Sequence, residues 1–146
     1  MMKTAGSVIP WPEKMMETYL WLDALLLAQA STEKEFQPAW QAYKYLLRAK
    51  MYAYIGTNDQ NGRPIITLKL EPLFSDMLRQ EHDDIVPGYY MNKQHWSTAY
   101  LDGAVPKDVL ADMVHASYRW VCTSLSKKTQ LEISQGMRGE EQTSGK

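Results

Sequence analysis

The chain lacks most of the side-chain arrangements by which chemistry is recognised in a sequence. Its lone cysteine, Cys122, excludes an internal disulfide and a cysteine-rich zinc site. His82, His95 and His115 fall at no metal-ligand spacing such as His-x-x-x-His, so neither a resident metal nor any other cofactor is expected. No glycine-rich phosphate loop occurs, and Ser124 and Ser126 have no nucleophile-elbow context, so nucleotide and acyl chemistry lose their usual signatures. The acidic pairs Asp83-Asp84 and Glu140-Glu141 lack the further oxygen ligands a hard cation needs. No apolar run is long enough to span a bilayer. Residues 1–12, broken by Gly6, Pro10 and Pro12, do not pattern as a secretory leader and are expected as a loose lead-in to a cytoplasmic protein. Basic excess is missing too: 16 Lys and Arg stand against 17 Asp and Glu, a net charge of -1. Any contact with nucleic acid must therefore come from a local patch.

What is present is apolar material and a readable order of elements. Hydrophobic residues make up 45% of the 146 positions, enough for one core without covalent staples. From Glu13 to Ala30, Met16, Leu20, Ala24 and Leu27 recur at helical spacing behind Pro12, and the other apolar residues leave this first helix greasy around most of its circumference. Such a helix is covered on several sides or offers a contact to a protein partner or to a second copy. Trp40 to Leu47 and Lys50 to Thr57 pattern as strands of a tight hairpin turning at Arg48 and Ala49. Turn chemistry at Asn58 to Gly62 then leads into a third strand, Arg63 to Leu70. Pro72 opens a short helix to about His82, Ser97 to Leu101 alternates as a strand, and Pro106 opens the clearest amphipathic helix, reaching Leu125. The order α-β-β-β-α-β-α defines an α/β domain of the α+β type over residues 13–133, with an antiparallel sheet covered by helices. Residues 134–146, rich in glycine and nearly free of large aliphatics, are expected as a disordered tail.

The most distinctive run is Pro87-Gly88-Tyr89-Tyr90-Met91-Asn92-Lys93-Gln94-His95-Trp96. Aromatic faces offer contact area and Asn, Lys and His offer oriented polar handles, so Tyr89, Asn92, Lys93, His95 and Trp96 are candidate binding residues. A structural account stands beside that one: Tyr89 and Trp96 anchor the following strand, Asn92 caps a turn and Lys93 is solvated. His95 is a possible general base only with a second group, and none is identifiable nearby. Lys50 and Lys69 join the candidates from the strands, where Lys44, Arg48 and Arg63 also lie, although cations on strand faces serve solubility equally well. Cys122, near the apolar face of the last helix, fits core packing.

Taken together, several motifs resemble the MmcQ/YjbR family of small bacterial proteins. They are Lys50-Met51-Tyr52-Ala53, Leu68-Lys69-Leu70-Glu71-Pro72, the run from Pro87 to Trp96, Leu101-Asp102-Gly103 and Ser117-Tyr118. The resemblance covers Trp40 to Leu125 and implies a two-layer fold similar to the frataxin-like and secretion-chaperone-like arrangements. It also implies DNA as a partner, through a double-wing arrangement of strands and loops, and it implies no enzymatic activity. Many members carry His where Tyr90 stands and Arg or Lys where Gln94 stands, so a titratable ring and a positive charge are absent from this segment. The expectation is a non-enzymatic binding domain, with a protein-interaction module or a small-ligand site around His95 as alternatives.

Overall fold

The apolar stretches flanking Arg48 and Ala49 do fold back on each other. Both turn residues take positive φ, 51° and 67°, the backbone that lets a two-residue turn match the twist of its strands. The computed structural model describes the backbone of residues 11–88 and 92–145 and the side chains of residues 14–88 and 92–136. Helices α1 (Trp11–Thr18) and α2 (Leu20–Leu27) precede strands β1 (Thr32–Gln37), β2 (Ala42–Leu47), β3 (Lys50–Thr57) and β4 (Pro64–Lys69). Then follow α3 (Pro72–Glu81), β5 (Ile85–Pro87), β6 (Trp96–Tyr100), α4 (Lys107–Thr123) and α5 (Lys127–Gly145). The strands form one six-stranded sheet in the order β1-β2-β3-β4-β6-β5, every neighbouring pair antiparallel.

Helices cover one face of this sheet. Tyr45, Leu47, Ile55, Ile66, Leu68 and Ala99 from the strands share a core with Leu22 and Leu26 of α2 and with Leu110, Met113, Val114 and Val121 of α4. The register between β2 and β3 shifts at Tyr45/Leu46, so Tyr52 is an extra residue opposite β2, and it joins its neighbour Ala53 in the helix-side core. The displaced Tyr52 reaches across the layers. Its hydroxyl lies 3.2 Å from the Leu26 carbonyl and 2.8 Å from Thr32 Oγ1, and its own carbonyl accepts from Ser117 Oγ at 2.8 Å. Tyr118 meets the Tyr52 ring edge-on at 5.6 Å and donates to the Ala30 carbonyl. Alternation sends Ala42, Tyr54, Ile65, Thr67, Thr98 and Tyr100 to the opposite face, where Thr67 and Thr98 share a hydrogen bond at 2.7 Å.

The fold class is the expected one, an antiparallel sheet covered by helices, but the element order needs correction. The single first helix expected over residues 13–30 is two helices, broken at Tyr19, whose φ and ψ of -111° and 35° leave the helical region. Met15 and Met16 of α1 and Leu22 and Leu26 of α2 still share one core. Strand β1 lies between the expected first helix and the expected hairpin, where the sequence pattern gives no element. Its residues are exposed or half-buried, so it has no apolar alternation to betray it, and its charges suit an unpaired edge. Trp40, expected at the start of a strand, lies in a 3₁₀ turn (Pro38–Trp40), and Gln41 follows it at φ 50°. β5 is only three residues long and ends on Pro87, too short for a periodic signal. Residues 134–145 continue the backbone of α5, and Ile133 packs in the core.

Tyr45 links this core to pH. Burial, followed by the hydrogen bond its hydroxyl donates to Asp23 Oδ1 at 2.6 Å, raises its pKa far above the ordinary tyrosine value of 10.0. Burial raises Tyr52 in the same sense. An unfolded tyrosine ionises near pH 10 and these do not, so the stability they confer is complete below pH 10 and is lost as pH rises beyond it. Denaturant melts from pH 9 to pH 12 should show a plateau to about pH 10 and then stability falling by about 1.4 kcal/mol per pH unit for each such tyrosine. Tyr45→Phe should flatten that slope, and an unchanged slope would contradict the assignment.

Candidate functional site

The segment from Gly88 to Trp96 is closed by backbone contacts. The Gly88 N–H donates to the Trp96 carbonyl at 2.7 Å, extending the β5–β6 ladder by one bond. A Cβ on Gly88 would lie 2.7 Å from that of Trp96, so only glycine fits without a shift. Asn92 builds an Asx turn: its Oδ1 accepts from Gln94 N at 2.9 Å, and its carbonyl accepts from the N–H groups of His95 and Trp96. Tyr89, with Tyr90 and Met91, lies outside the described residues.

Arg79 on α3 holds the segment down, and nothing in the local sequence pattern singled it out. Its Nη2 donates to the carbonyls of Lys93, at 2.5 Å, and Trp96, at 2.8 Å, while Nε donates to Ser97 Oγ. Ser97 Oγ in turn donates to Ser75 Oγ, one helical turn before Arg79. Burial lowers the Arg79 pKa and the charge of Asp76 opposes that shift. The available signal was a pairing of Ser75 and Arg79 at i, i+4, which places both on one side of α3. That pattern is too common to stand out.

The structure brings most of the candidate residues to one end of the sheet, though not to one face. Lys69 sits directly across from Trp96. Both project away from the helix-side core, as do Thr67 and Thr98 two positions inward. Lys50 starts β3 at the same end and projects to the helix side, where its Nζ is 3.4 Å from Ser124 Oγ beyond α4. Asn92 and Lys93 are exposed on the adjoining loop. His95 is half-buried beside Leu70, whose N–H donates to the His95 carbonyl, and its buried Nδ1 has no hydrogen-bond partner among the described residues. Cys122 packs against the core. Among the described residues no group of three His, Cys, Asp or Glu side chains could hold a metal ion.

The cations differ in whether a carboxylate pairs with them. At the far end Arg63 pairs with Asp102 at 2.9 Å and with Asp84 at 3.7 Å, and it lies over the Tyr100 ring. Toward the β1 edge Lys34 pairs with Asp23 and Lys44 with Glu35. Lys50, Lys69 and Lys93 enter none of the ion pairs among the described residues. Arg48, Lys127 and Lys128 add exposed cations at the hairpin and at the start of α5, near Lys50. A near-neutral chain thus gathers unpaired lysines at one end of the sheet, where Glu33, opposite Leu46, and Glu71, the cap of α3, also lie.

An antiparallel sheet with helices packed against one face, no metal cluster among the described residues, and a cationic end built from a hairpin and a loop define an α+β domain of the kind seen in several bacterial proteins. A crystal structure of the Deinococcus radiodurans protein DR2400, with a DUF419 domain, superposes with a TM-score of 0.69 at 27% identity, covering 77% of this chain and 85% of that one. A Pseudomonas syringae crystal structure at 23% identity shares the fold with a TM-score of 0.56, covering 70% of this chain and 96% of that one. The family model YjbR matches residues 26–120, and the chain belongs to that family. Escherichia coli (strain K12) YjbR, an uncharacterised protein, is 33% identical over 93 residues, 64% of this chain and 77% of its own length. YyaQ of Bacillus subtilis (strain 168), also uncharacterised, is 27% identical over 92 residues, 58% of this chain and 77% of its own length.

If Arg79 fastens the segment, Arg79→Met should cost about 2–3 kcal/mol in chemical denaturation, because carbonyls and a hydroxyl lose a charged donor. Amide exchange should quicken at residues 92–97 above all. Exchange unchanged there would show that the segment is held by its own turn.

Proposed function

We propose that this chain is a non-enzymatic binding domain that meets the phosphate backbone of DNA with the cationic end of its sheet. The observation that carries this reading is the state of the cations: among the described residues Arg63, Lys34 and Lys44 are paired with carboxylates, while Lys50, Lys69 and Lys93 are not. Lys50 and Lys69 project to opposite sides of the sheet end. A polyanion lying across that end can therefore contact both, with Lys93 reaching it from the adjoining loop. Asn92 serves the loop backbone and Trp96 flanks Lys69, so these two position the charges. His95 Nδ1, buried and without a hydrogen-bond partner among the described residues, adds spare hydrogen-bonding capacity beside them. The double-wing and frataxin-like likenesses belong to this same reading, as does a cytoplasmic location.

A second reading rests on α2, where Leu20 is 61% and Leu27 43% exposed two turns apart on one side of the helix. Such a stripe suits self-association. Native mass spectrometry should then give a dimer that Leu20→Lys dissociates, and a strict monomer removes this reading.

Duplex DNA binding measured by fluorescence anisotropy across a salt series tests the first. Affinity should decline linearly on logarithmic axes, and each of Lys50→Gln, Lys69→Gln and Lys93→Gln should lower the slope by about one. Binding that is absent at low salt, or insensitive to salt, rules out phosphate recognition.

A further inference from the structure

We propose that the groove between α3 and α4 is a binding site for a small aromatic carboxylate. The groove has a volume of about 520 Å³ and is lined by Glu71, Phe74, Ala116, Arg119, Trp120 and Thr123. That size falls in the range of clefts that hold small organic molecules. It exists because Ala116 is small on the face of α4 that looks toward α3, one turn before the indole of Trp120. Phe74 is half-buried against the core on the α3 side. Leu73 at 76% exposure and Met77 at 47% continue an apolar lip along α3 that no described element covers.

The charges in the groove select the sign of the ligand. Glu71 is already engaged: its carboxylate accepts from the Leu73 N–H at 2.7 Å and caps α3, where the helix dipole also favours it. Arg119 is exposed and enters no ion pair or hydrogen bond among the described residues. A planar guanidinium beside an indole and a phenyl ring matches a ligand with one carboxylate, for a paired contact, and one flat ring, for stacking. A polyphosphate fits poorly, because the walls are apolar and Arg119 is the one cation among the lining residues. None of these residues belongs to the cationic set assigned to DNA, so the two proposals stand or fall separately.

The test uses 2-naphthoate and its uncharged analogue 2-naphthamide as probes of the full chain, with calorimetry for affinity and nitrogen-15 NMR for location. Naphthoate should bind at least about tenfold tighter than the amide and shift the Trp120 indole and the Ala116 amide. Arg119→Gln, at an exposed position, should erase that preference with an unchanged melting temperature, and Ala116→Leu should weaken both probes by filling the groove. Equal affinity for the two probes would mark a purely apolar docking face and overturn the proposal. So would shifts centred away from Trp120, or a preference that survives Arg119→Gln. If Ala116→Leu disturbs folding, Arg119→Gln decides alone.

Discussion

The bulge that displaces Tyr52 is the constraint on which the two layers depend. An antiparallel sheet presents alternate residues to its core, and regular pairing would have sent either Tyr52 or Ala53 to the opposite face. With one extra residue in β3, both join the helix side. The ring then fills the corner between α2, β1 and α4. Its hydroxyl meets the Leu26 carbonyl at the end of α2, an oxygen that also accepts from the Gln29 N–H at 3.1 Å. Tyr118 does the same for the Ala30 carbonyl three residues beyond the helix end. Two tyrosines thus fasten the crossover from helix to sheet, where a glycine cap would be the commoner device.

This arrangement changes the meaning of the motifs that carry the family resemblance. Lys50-Met51-Tyr52-Ala53 holds the bulge, and Ser117-Tyr118 supplies its partners on α4. Glu71-Pro72 is the cap and first turn of α3. Gly103 of the Leu101-Asp102-Gly103 turn lies where a Cβ would collide with the Asp84 carboxylate, and that carboxylate also takes the Ala104 N–H. In the run from Pro87 to Trp96, Gly88 and Asn92 are accounted for by close approach and turn closure. Most of the motif residues are scaffold. What they leave to recognition is the set of cations at the sheet end and the separate groove between α3 and α4.

The sequence was legible where one physical signal dominated. The hairpin at Arg48 and Ala49, the turn at Asn58 to Gly62 and the amphipathic α4 follow from patterns of apolar residues and breakers, and they stand where expected. Strand β1 was illegible because an edge strand with charged faces carries no alternation, and β5 because three residues cannot show a period. The break at Tyr19 has no glycine or proline to announce it. For the candidate site, the grouping of Lys69, Asn92, Lys93 and Trp96 near one sheet end was implicit in the strand order, but the side to which Lys50 projects was not, since the bulge resets the alternation in β3. Arg79 escaped notice because its acceptors, backbone carbonyls of Lys93 and Trp96, exist only once the segment has folded.

The role of Tyr52 as the tie between layers is tested most directly by native-state hydrogen exchange on Tyr52→Phe, which keeps the ring and removes the hydroxyl. The account predicts a loss of about 1–3 kcal/mol, with the amides of α2 and β1 losing protection together while β4 and β6 keep theirs. Protection in α2 and β1 indistinguishable from that of the unaltered chain would contradict it.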